Sequence, residues 1–93
     1  MRELDPLLHS QLRLAIVSLL LSVETADFVY LKEKTNATAG NLSVQLEKLE
    51  TAGYIQVKKE FVGKKTRTSC QLTDMGRKAL EDYIDALREY INL

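Results

Sequence analysis

Lys64, Lys65 and Arg67 crowd residues 61–68, a stretch that turns at Gly63 and holds no acid. Cations bunched at a turn suit phosphate oxygens, giving affinity and register but little sequence choice. On an exposed hairpin the same charges also keep strand edges from pairing with other chains. Thr66 lies among them as a further hydroxyl contact. Upstream, Asn41 and Gln45 stand four residues apart, with Val44 beside them. Their amides can pair bidentately with adenine, and valine can touch a thymine methyl. Thr38 and the free N–H groups behind it suit a phosphate, and Gly40 permits close approach. Ser43 and Lys48 complete this set, with Lys34, Lys58 and Lys59 as secondary contacts.

Those side chains need a helix and a hairpin to hold them. Leu42, Leu46 and Leu49 recur at i, i+4, i+7 and predict a helix buried along one stripe. Gly40, Asn41, Val44, Lys48 and Thr51 fall on its outer face, with Ser43 and Gln45 at the sides. Gly53 suits the left-handed residue that stops a helix. Residues 54–58 and 67–72 alternate with period two and read as strands. Upstream, Asp5-Pro6 is a helix-entry pair, and Ser10 offers a second cap before Leu12, Ile16, Leu19, Leu20 and Val23. Asp27 caps a short helix over about residues 28–34, with Phe28 and Leu31 inward. Thr73-Asp74 opens a last helix.

The 93 residues carry 13 basic and 13 acidic side chains, which alone argues against a polyanionic partner. The distribution argues for one. Residues 32–68 hold eight basic residues against Glu33, Glu47, Glu50 and Glu60, a surplus of four positive charges. An apolar share of 45% supports a core in one domain spanning 1–93. Nothing reads as a membrane span or a signal peptide, so a cytoplasmic chain is expected. The single cysteine, Cys70, and single histidine, His9, give no disulfide, metal cluster or cofactor site, and no catalytic constellation is visible.

The order helix, helix, turn, helix, hairpin, helix matches a winged helix-turn-helix: mainly α with a small β-hairpin. Its helix-turn-helix covers about 27–52, the wing about 54–72 and the last helix about 74–92. The segments 5–14, 42–55 and 71–80 resemble small prokaryotic winged-helix regulators of the arsenic-repressor and MarR-like groups. The resemblance implies a transcriptional regulator that binds double-stranded DNA, with the third helix in the major groove and the wing on the flanking backbone. In those regulators the Val44 position is often basic, so valine there points away from guanine readout. Arsenic-repressor relatives sense metals through paired cysteines on the helix-turn-helix, and this chain has none there.

Leu80, Tyr83, Ile84, Leu87, Tyr90 and Ile91 make the last helix apolar over a wider stripe than docking on its own chain requires. The surplus predicts pairing with a second copy and two half-sites about 34 Å apart. Two other readings stay open: a winged-helix adaptor that binds protein rather than DNA, and a sensor whose unidentified ligand enters at the dimer interface.

Overall fold

A computed structural model describes residues 1–92. The chain runs α1 (Gln11–Leu21), β1 (Ala26–Asp27), α2 (Phe28–Thr35), α3 (Ala39–Thr51), β2 (Ile55–Val62), β3 (Lys65–Leu72) and α4 (Asp74–Ile91). The three strands form an antiparallel sheet in the order β1-β3-β2. The helices pack around Leu8, Ile16, Val17, Leu20, Leu31, Leu42, Leu46, Leu49 and Leu80, with Ile55, Cys70 and Leu72 closing the core from the sheet. Among the described residues, no helix is long and apolar enough to cross a membrane.

Each helix that positions the interface starts on a side-chain cap. Ser10 accepts from Arg13 N, Asp27 from Tyr30 N, Thr38 from Asn41 N and Thr73 from Gly76 N. The Asp5-Pro6 pair does not open a helix as predicted. His9 N donates to Asp5 O and Leu7 N to Asp5 Oδ1, closing one turn. Ser10 then takes an extended backbone and begins α1 afresh. The isolated turn seats Leu8 in the core and brings Asp5 to Tyr54, whose hydroxyl donates to Asp5 Oδ2 at 2.5 Å. Burial, and then that bond, push the Tyr54 phenol up to about 12. Val23, expected in the first buried stripe, lies exposed beyond the end of α1.

α3 ends in a Schellman arrangement: Tyr54 N bonds Leu49 O and Gly53 N bonds Glu50 O, with Gly53 at φ 82°. Thr73 fastens this end to α4. Its hydroxyl donates to Gly53 O at 2.6 Å while its N–H donates to Tyr54 O at 3.1 Å. Gly76, one turn into α4, is packed so closely that a Cβ there would lie 2.1 Å from Tyr54 O.

The sheet differs from the expected two-stranded hairpin at both ends. β1 adds a third strand, with Ala26 opposite Cys70 and Asp27 opposite Ser69. The hairpin strands extend to Val62 and from Lys65, past the residues where alternation was visible. Alternation marks a strand with one buried face, and the outer half of this hairpin buries neither. Gly63 and Lys64 form the two-residue turn, with Gly63 at φ 66° and Lys64 at negative φ, the type II′ pattern.

Candidate nucleic-acid interface

α3 buries Leu42, Leu46 and Leu49, and this fixes which side chains it offers outward. Gly40, Asn41, Ser43, Val44 and Lys48 are exposed, and Thr38 caps the helix at the surface. The exposed surface has two edges. Ser43, Glu47 and Glu50 line a cleft of about 570 Å³ against Val57, Lys59 and Thr68 of the hairpin. Val44, Glu47, Lys48 and Thr51 line the other edge, beside Leu7. Glu47 borders both edges and Glu50 adds a second carboxylate to the cleft, so a phosphate is least opposed at the amino end of α3.

Gln45 differs from its prediction as a free base-reading amide. It is half-buried, accepts from Arg13 Nη1 at 2.5 Å and donates through Nε2 to Asn41 Oδ1 at 3.0 Å. Arg13 is itself held by its Nε–H donating to Leu7 O at 2.6 Å. Arg13 sits on α1, 32 positions from Gln45, and no local spacing could have marked it.

Register divides the wing. Lys59, Phe61, Thr66 and Thr68 share a face with the buried Cys70, whereas Lys58, Glu60, Val62, Lys65 and Arg67 share the opposite one. On that opposite face Lys58 pairs with Glu60 at 3.6 Å, and Arg67 with Asp27 at 3.7 Å. The predicted cationic tip therefore separates into two kinds of residue. Lys64 and Lys65 have no ion-pair partner among the described residues, while Arg67 is drawn toward the sheet base. Phe61 and Val62 stand exposed beside them, on a part of the hairpin that lies beyond the residues where alternation marked a strand. Burial, followed by the charge of Glu50, raises the Cys70 thiol to about 11, fitting a packing role.

α4 corrects the predicted pairing stripe. Leu80 and Tyr83 are buried in the chain's own core, and the Tyr83 hydroxyl lies 3.1 Å from His9 Nδ1. Leu87 packs half-buried against the same core. These three are taken up within the chain, which leaves Ile84, Tyr90 and Ile91 exposed. Tyr90 also donates its hydroxyl to Arg2 O, and Arg2 Nε meets Glu89 Oε2 at 3.0 Å, tying the amino terminus to α4.

The sequence pattern of the winged helix DNA-binding domain family matches residues 12–91. An uncharacterised protein of Methanocaldococcus jannaschii is 41% identical over 76 residues, which cover 82% of this chain and 83% of that protein. Among solved structures, a transcriptional regulator homologue from Pyrococcus horikoshii superposes with TM-score 0.84 and 27% identity, covering 92% of this chain and 85% of that one. Bacillus subtilis PadR, solved with operator DNA, shares the fold at TM-score 0.71 and 23% identity, covering 81% and 48%. A MarR-family regulator shares it as well. The pattern match spans all of α1 but its first residue, the other three helices and the whole sheet, and the chain belongs to the winged helix DNA-binding domain family.

Proposed function

We propose that this protein is a sequence-specific transcriptional regulator that binds double-stranded DNA as a homodimer in the cytoplasm. α3 enters the major groove, and Lys64 and Lys65 grip the backbone beside it. The observation that carries the reading is a solvent-facing α3 set next to a hairpin whose tip lysines have no ion-pair partner among the described residues. Thr38, Gly40, Asn41, Ser43, Val44 and Lys48 supply the groove contacts, with Thr66 and Arg67 secondary on the wing. The homodimer is supported by what α4 leaves uncovered: Ile84 is 37% exposed, Tyr90 42% and Ile91 70%. Pairing α4 with its copy would cover those side chains and set two α3 helices against half-sites about 34 Å apart.

Selection of bound duplexes from a random pool tests this directly. The expected product is a two-fold symmetric site whose half-sites lie about one helical turn apart. Binding to random duplex should weaken steeply as salt rises, because phosphate contacts release counterions. A chain that ignores duplex DNA at low salt would instead be a protein-binding adaptor. Enrichment of a single asymmetric half-site would rule out the dimer.

A further inference from the structure

We infer that Arg13 is a positioning residue that sets the hydrogen-bonding polarity of α3, turning its amide pair toward guanine. The inference rests on the proposal that α3 lies in the major groove. Arginine has no acceptor, so the Gln45 atom that Arg13 Nη1 meets at 2.5 Å must be the oxygen. That choice puts Gln45 Nε2 on the side of Asn41, where it donates to Oδ1 at 3.0 Å. The orientation of both amides therefore follows from one guanidinium, which is itself fixed by its bond to Leu7 O. A charged donor at the head of the chain strengthens each bond after it.

The consequence falls on the outward groups. Both amide oxygens already accept from within the protein. What remains uncommitted among the described residues is the Asn41 Nδ2 amine, with both hydrogens, the second hydrogen of Gln45 Nε2, and one lone pair on each oxygen. Bidentate adenine readout needs an acceptor for N6 alongside a donor for N7. Guanine presents two acceptors, N7 and O6, and suits a surface on which free donors outnumber free acceptors. Valine at position 44 removes a cationic route to guanine; the polarised amides supply a neutral one.

Bound-site selection on five chains tests this: wild type, Asn41→Ala, Arg13→Lys, Arg13→Met and Gln45→Ala. The base read by Asn41 is the position where Asn41→Ala relaxes the preference. There, wild type should favour guanine over adenine by roughly tenfold. Arg13→Lys, which keeps a donor without acceptors, should retain that choice. Arg13→Met and Gln45→Ala free the Asn41 amide to turn, and the preference should fall to within about threefold or swing to adenine. A change in base identity is something lost packing alone would not produce. Should Arg13→Met fail to fold, Gln45→Ala decides alone, since it leaves Arg13 and its Leu7 bond in place. Adenine at that position in wild type, or guanine kept in a folded Arg13→Met or in Gln45→Ala, overturns the inference while DNA reading stands. A wild-type chain that enriches no sequence removes the groove reading and this inference with it.

Discussion

At the base of the β2–β3 hairpin, Ile55, Cys70 and Leu72 are buried, and Ala26 adds a third strand beside them. At the tip, Phe61 is 79% exposed, Val62 is 56% exposed, and the strands pair only with each other. One ladder of hydrogen bonds runs through both regions, yet apolar burial is confined to the first. The base belongs to the core, and changes there should act on stability. The tip is held by backbone pairing and a glycine turn, so its side chains are free to vary with the partner they meet.

The largest effect should come where the base meets α4. Gly76→Ala would drive a Cβ against Tyr54 O and Leu72 Cδ1, and relief requires parting α4 from the start of β2. The expected loss exceeds about 4 kcal/mol, and circular dichroism at 25 °C should show an unfolded chain. Next, Ile55→Ala should cost about 2–4 kcal/mol in a urea titration. An equal cost at Phe61 would erase the distinction between base and tip.

At the tip, Lys64→Ala with Lys65→Ala should leave the urea midpoint in place. Its effect belongs to the proposed DNA contact: affinity for random duplex should drop on the order of tenfold at low salt, and the log–log salt slope should shrink by roughly 1–2. Normal salt dependence in the double variant would remove the wing from the contact.

Alkaline pH probes the base from another direction. Cys70 and Tyr54 hold their protons at about 11 and about 12, against ordinary values of 9.0 and 10.0. The unfolded chain ionises first, so their contribution is full below pH 9, declines from about pH 9 to 12 and is lost above that. Thermal midpoints should fall through this window, less steeply in a Cys70→Ala, Tyr54→Phe chain. The smallest effect is expected for Phe61→Ala, within about 0.5 kcal/mol of wild type by the same urea titration.

The sequence shows the base more clearly than the tip, and α3 more clearly than what fastens it. Leu42, Leu46 and Leu49 announce their stripe because helical spacing and burial coincide, and Thr73 and Gly53 mark helix ends through their own chemistry. β1 is two residues long, too short for any period, and its place comes from pairing with β3, which lies more than 40 positions away. Asp5-Pro6 carries a helix-entry signal that Ser10 overrides by restarting the backbone. The amides of Asn41 and Gln45 were visible as polar groups, but their direction depends on Arg13 from a different helix. Leu80 and Tyr83 looked available because a stripe in sequence does not say how wide its neighbour is. Local rules therefore find the elements, while long-range contacts decide which of their side chains are left over.

Thr73 joins the stop of α3 to the start of α4 through one hydroxyl and one amide. The joint ties the helix proposed to read DNA directly to the helix proposed to carry the partner copy. In such a dimer the molecule would behave as a caliper with fixed jaws. An operator lengthened by one base pair would carry its second half-site about 3.4 Å farther along the axis and about 34° around it. Neither a flexing linker nor a sliding hinge would be there to follow. Tolerance to spacing would then be set by how far the DNA, rather than the protein, can be twisted.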